Sequence, residues 1–180
     1  MLSEDESGEL VDSVLVEEEV PDWIHETVVG WLVHVLRGWL GSGGFVAGSE
    51  AKYLLQVGRG RKPDVSVILP GSPPPPRRGP VRRPPDIMIE VVSPKPRDVR
   101  RDRIDKMVEY AAFGVRWYWI IDPEARTLEI HELGAERRYV WALGASSGRL
   151  ESIPGCEGLV LDLDELWAEV DRLGPDEPDE

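Results

Sequence analysis

Asp86-Ile87-Met88-Ile89-Glu90-Val91-Val92 is the stretch on which the fold turns. Its nearly continuous apolar run is what a strand buried on both faces looks like, whereas a strand with one wet face would alternate. Its carboxylates then need a reason, because a buried acid is rarely left unpaired. Working outward, the spacing predicts a helix from Asp98 to Phe113, closed by Gly114, and a second buried strand from Trp117 to Ile121. That helix can serve as the crossover between two parallel strands.

Further upstream, Asp22 is a plausible N-cap for a helix from about Trp23 to Leu40. Ile24, Val28, Val29, Leu32, Val35, Leu36 and Leu40 recur there at the helical period. Short strands are expected around Leu10-Val11 and Val14-Val16, at Phe45-Ala47, at Tyr53-Val57 and at Asp64-Leu69. In the last of these, Val65, Val67 and Leu69 share one face and Asp64, Ser66 and Ile68 the other. Pro70 to Pro85 is rich in Pro and Arg and reads as a long exposed loop. Downstream, Thr127-His131 and Arg137-Leu143 read as an antiparallel pair, followed by Leu159-Leu163 and a short helix through Trp167 and Val170. The pattern predicts an α/β domain over residues 9–172, a mixed β-sheet flanked by helices with an N-terminal β-hairpin. Residues 1–8 and 173–180 read as disordered acidic ends.

Composition narrows the function classes. The chain has 180 residues, 41% hydrophobic and 31% charged, as a globular protein does. No apolar run is long enough to span a bilayer, and the acidic start is unlike a secretory signal, so a cytoplasmic location without membrane partners is expected. The single Cys156 excludes an intrachain disulfide and a Cys-rich metal site. The net charge of -13 is unevenly spread: residues 59–106 hold 13 Lys or Arg and 6 Asp or Glu, a local +7. Local sign decides whether a phosphate backbone is attracted.

Asp64 and Glu90 are the carboxylates that could converge if their strands pair. Like charges at close range repel, and a divalent cation relieves this while activating water for attack on a phosphate. A Pro-Asp turn at Asp64 and a salt bridge at Glu90 are the plain structural readings. In the helix after Glu90, Asp98, Asp102, Lys106 and Tyr110 form one stripe at intervals of four. Ile104, Met107, Val108 and Ala111 form the apolar stripe. On this wheel Lys106 lies far from the apolar stripe, as a solvated lysine paired with Asp102 would.

The ordered set Pro63-Asp64, Pro85-Asp86 through Pro94 with Glu90 inside it, Asp102/Lys106/Tyr110, Gly114-Val115 and Tyr118-Trp119-Ile120-Ile121-Asp122-Pro123 resembles the Uma-two family. That group is placed in the PD-(D/E)XK superfamily of restriction endonucleases. Gly8-Asp12, His25 and Leu159-Leu163 extend the resemblance over roughly Glu9 to Val170. The resemblance implies a restriction-endonuclease-like fold and an endonuclease using Mg²⁺, with Mn²⁺ as a substitute, held by Asp64 and Glu90. The superfamily's usual lysine position is Val92 here, and the resemblance implies that Lys106 supplies that function from the helix. Glu9, His25, Asp102 and Tyr110 are secondary candidates. Arg77, Arg78, Arg82, Arg83, Arg100, Arg101 and Arg103 are the expected phosphate contacts. A homodimer acting on nucleic acid, DNA foremost, would match duplex symmetry. An inactive nucleic-acid-binding module, or a protein or small-molecule binder with acidic tails, stays open, since fold does not imply activity.

Overall fold

The computed structural model describes residues 9–11, 14–16, 22–93 and 101–175, with side chains from residue 22 onward except at 101 and 102. The strands are β1 (Glu9–Val11), β2 (Val14–Val16), β3 (Phe45–Ala47), β4 (Tyr53–Gln56), β5 (Arg59–Arg61), β6 (Val65–Ile68), β7 (Ile87–Val91), β8 (Trp117–Asp122), β9 (Thr127–Leu133), β10 (Tyr139–Ala145), β11 (Arg149–Leu150) and β12 (Leu161–Asp162). The α-helices are α1 (Trp23–Leu40), α2 (Lys106–Phe113) and α3 (Leu163–Asp171). A six-stranded sheet runs β10-β9-β8-β7-β6-β3, and a four-stranded sheet runs β2-β1-β5-β4. Only β7 and β8 pair in parallel within the six-stranded sheet; its other pairs are antiparallel. The expected mixed sheet flanked by helices is therefore the architecture observed.

The alternation of strand side chains gives the large sheet two unlike faces. Ile87, Ile89 and Val91 join Val65, Val67, Trp119, Ile121, Leu128 and Ile130 in one core. Val28, Leu32 and Leu36 of α1 and Leu163, Leu166 and Trp167 of α3 cover it. Met88, Val92, Tyr118 and Ile120 face the other way, against Tyr110 of α2, Tyr53 and Val81. Every residue of β7 is buried, which is why its sequence shows no alternation. Asp22 caps α1 by accepting from the His25 backbone N–H at 2.8 Å. Gly114, at φ 101°, ends α2 in the left-handed conformation that glycine adopts without strain.

The segment between β6 and β7 departs from the plain loop expected. Val81 forms a parallel bridge to Tyr53, with Leu54 N–H donating to Val81 O and Val81 N–H to Lys52 O. Arg83 donates to Pro73 O at 3.0 Å and to Pro74 O. Asp86 closes the loop: Oδ2 accepts from Leu69 N at 2.7 Å and Oδ1 from Ser72 Oγ at 3.0 Å.

The connection from β7 to β8 corrects the sequence reading more sharply. The described part opens with a π-helical turn, Arg101–Asp105, and α-helix begins only at Lys106. A π turn holds more residues per turn than an α-helix. It offsets the turn carrying Ile104 from α2, while α2 itself is regular and packs on the sheet by its Lys106–Tyr110–Ala111 face. Ile104 and Val108, expected inward, are 55% and 67% exposed. Lys106 and Tyr110, expected on the wet stripe, are buried. The sequence reading also missed β5, and it ended β4 one residue late, since Val57 is exposed in the turn between them.

Asp86 thus sets the register of the β6–loop–β7 unit. Asp86→Ala leaves two donors unanswered and is expected to lower unfolding free energy by about 1–3 kcal/mol, read from the urea midpoint.

Candidate active site

Asp64 immediately precedes β6, and β6 pairs antiparallel with β7 through Val65↔Ile89 and Val67↔Ile87. Extending that register by one residue sets Asp64 across from Glu90, on the face that carries Met88. The Val91 backbone N–H donates to Asp64 Oδ2 at 2.7 Å and fixes that carboxylate against the neighbouring strand.

Glu90 is 1% exposed. Lys106 Nζ lies 2.7 Å from its Oε2, and the Tyr110 hydroxyl donates to its Oε1 at 2.6 Å. Residues four apart share a helix face, so both groups of α2 reach the same carboxylate. Lys106 is only 4% exposed. It is therefore not the solvated lysine that the helical wheel suggested. Tyr110 is held in turn by an edge-on contact with Tyr118, at 5.3 Å between ring centroids. Tyr118 packs on Tyr139, whose hydroxyl donates to Val115 O at 2.8 Å.

His25 occupies the first turn of α1, and its Nε2 lies 3.2 Å from Asp64 Oδ1. Its side chain is largely buried. Nδ1 is buried with no hydrogen-bond partner among the described residues; the Glu26 Oε1 is 3.5 Å away. Burial opposes the charged imidazolium, but the Asp64 hydrogen bond and charge, together with Glu26, outweigh it and raise the His25 pKa. For Asp64, burial favours the neutral acid. His25, Lys106 and the Val91 N–H outweigh it and hold the carboxyl below its usual range.

Residues that sequence reasoning passed over clamp α2 from its other side. Glu109, next to Tyr110, accepts from Arg61 Nε at 2.7 Å and Nη2 at 2.9 Å, and from Arg59 Nη1 at 3.0 Å. This fork joins α2 to β5 of the smaller sheet. Nothing in the spacing of Arg59, Arg61 and Glu109 announces it, because the partners are about fifty residues apart.

The arginines divide. Arg77, Arg78 and Arg82 are exposed on the loop. Arg83 is half-buried and bonded to loop carbonyls. Arg103 does not stand ready for phosphate: its guanidinium lies 2.5 Å from Glu129 Oε1 and 3.1 Å from Asp122 Oδ2. It is engaged because the π turn lays it across β8 and β9. Arg100 and the side chains of Glu9, Arg101 and Asp102 lie outside the described residues. Among the described residues, no three His, Cys, Asp or Glu side chains stand close enough to enclose a cation unaided. Asp64 with His25, and Glu90 with Lys106, are two adjacent pairs.

The fold is a nuclease-like α/β fold. The chain matches the Uma2 family, described as "Putative restriction endonuclease", over residues 2–164, and it belongs to that family. It is also similar in fold to a solved protein from Anabaena variabilis, described as a putative nuclease belonging to DUF820. The two share 16% identity at a TM-score of 0.68, with 90% of each chain covered. No curated protein matches the chain. No described helix is long and apolar enough to cross a membrane.

Removing one partner of a buried pair strands the other charge. Glu90→Gln and Lys106→Met are each expected to cost about 3–5 kcal/mol in urea unfolding, and the double variant to regain much of that. A second expectation concerns His131, 3.4 Å from Glu129 Oε2. Burial, reinforced by Arg103 and opposed by Glu129, lowers its pKa below the usual value. Its contribution to stability is therefore full above about pH 6.5 and is lost as pH falls through the lowered folded value. Unfolding measured across pH 5–8 should fall off less steeply on the acid side in His131→Gln than in wild type.

Proposed function

We propose that this chain is a divalent-metal-dependent nuclease that hydrolyses phosphodiester bonds of nucleic acid, DNA foremost. The observation that carries the reading is a fully buried Glu90, gripped by Lys106 and Tyr110, opposite Asp64 on the adjoining strand. A structural ion pair alone gives no reason for a second, charge-favoured carboxylate beside it.

The donor set fits such a cation: hard carboxylate oxygens suit Mg²⁺ or Mn²⁺, which are commonly held by one or two carboxylates, with water and substrate oxygens completing the shell. Asp64 and Glu90 would hold it. When bound, the cation supplies a more acidic water and polarises a phosphate oxygen.

The chain's own groups do the rest. The Val91 N–H and His25 keep Asp64 ionised and oriented. Tyr110 fixes the plane of the Glu90 carboxylate. Lys106, held within the site, places an ammonium where it can orient the attacking water or offset charge building on the phosphate. The buried face built by Tyr53, Met88, Tyr118 and Ile120 keeps bulk water from these groups and strengthens their electrostatics. Arg77, Arg78 and Arg82 are free to meet the backbone of the substrate, which makes binding salt-dependent. A homodimer would present two such sites to a duplex.

One observation favours a second reading, a binding module without chemistry: both Glu90 oxygens are already answered by Lys106 and Tyr110. Cleavage assays on plasmid, linear duplex, single-stranded DNA and RNA, at low salt with Mg²⁺ or Mn²⁺, separate the two. The nuclease reading expects metal-dependent cutting that falls about 100-fold or more in Glu90→Ala, Asp64→Ala and Lys106→Met, the scale of losing one preorganised group. Salt-dependent binding without cutting by wild type, and no metal uptake by calorimetry, would establish the module instead.

A further inference from the structure

His25 is the group that the carboxylate chemistry above leaves underused. We propose that His25 Nε2 is itself a ligand of the divalent ion, beside Asp64, and that this nitrogen makes the site select Mn²⁺ over Mg²⁺. This rests on the metal-dependent reading of the site.

Two features of the geometry carry it. The first is the spacing of the donors. Two ligands at right angles, each about 2.1 Å from a cation, lie about 3.0 Å apart. His25 Nε2 and Asp64 Oδ1 are 3.2 Å apart, so both can face one ion with little movement. The second is the other ring nitrogen. With Nε2 on Asp64, buried Nδ1 makes no hydrogen bond among the described residues. An unanswered buried polar atom costs about 1–3 kcal/mol. If Nε2 gives its lone pair to a cation, the proton sits on Nδ1, with Glu26 Oε1 3.5 Å away. Metal-bound imidazoles are oriented in this way, by a carboxylate behind the ring. Glu26 follows His25 in the first turn of α1, and Asp22 caps that turn, so the ring and its support come from one rigid element.

The consequence is metal choice. Mg²⁺ prefers oxygen ligands, whereas an imidazole nitrogen shifts preference toward first-row transition metals.

The test uses the full-length protein loaded with Mn²⁺ alone. Pulsed electron paramagnetic resonance should show nitrogen coupling to the Mn²⁺ that changes on ¹⁵N-histidine labelling of wild type, which needs no substitution. The coupling should persist in His34→Gln and His131→Gln and vanish in His25→Asn. Calorimetry should show Mn²⁺ affinity falling about 10–100-fold in His25→Asn and about 10-fold in Glu26→Gln. Mg²⁺ affinity should stay within about threefold, which also reports that the variants are folded. Mn²⁺ bound without histidine coupling, or with equal affinity in His25→Asn, overturns the proposal and leaves an Asp64/Glu90 metal site standing. Uptake of neither metal by wild type overturns both.

Discussion

The buried carboxylate of Glu90 is the constraint on which the rest of the structure depends. An isolated charge at 1% exposure would cost several kcal/mol, so the fold must bring partners to it. Lys106 and Tyr110 meet that demand from a single helix face. Their arrival fixes how α2 lies on the sheet, and the lie of α2 places Arg103 against Asp122 and Glu129 and Glu109 against Arg59 and Arg61. A buried pair of this kind is weak evidence for stability as such, because a packed apolar pair could do as well. Its retention beside a second carboxylate agrees with a chemical use.

The two faces of the large sheet divide the labour. The face under α1 and α3 is apolar and holds the larger core. The face under α2 mixes tyrosines with the charged groups of the site, and its hydroxyls are spent on hydrogen bonds: Tyr53 to Ser66, Tyr110 to Glu90, Tyr139 to Val115. Aromatic bodies with polar tips suit such a layer, since they exclude water while still answering buried acceptors. The smaller sheet then backs α2 through the Arg61–Glu109 fork, so the helix that carries Lys106 and Tyr110 is held on two sides.

The position two residues after Glu90 is Val92, buried among Met88, Tyr118 and Ile120. A lysine there would have to be charged inside an apolar cluster. Lys106 reaches Glu90 from the helix instead, with the long stem that lets an ammonium cross from one layer to the next. The same carboxylate therefore has a cationic partner, delivered from a different element.

By itself the sequence determined which residues must be buried. Period and composition made Trp23–Leu40 a helix, Ile87–Val91 and Trp117–Ile121 buried strands, and Glu90 an acid needing a partner, because these follow from local periodicity and from the cost of burying charge. Tertiary structure decided which groups meet. A helical wheel ranks faces by apolarity, but α2 docks by the face that carries Lys106, Tyr110 and Ala111 and leaves Val108 outward, and the π turn at Arg101–Asp105 offsets Ile104 from that helix. The contacts of His25 with Asp64, and of Arg61 with Glu109, lie between elements far apart in the chain. Such pairings depend on how helices and sheets dock. Docking is set by the sum of packing over the whole core, a quantity that no local stretch of sequence contains.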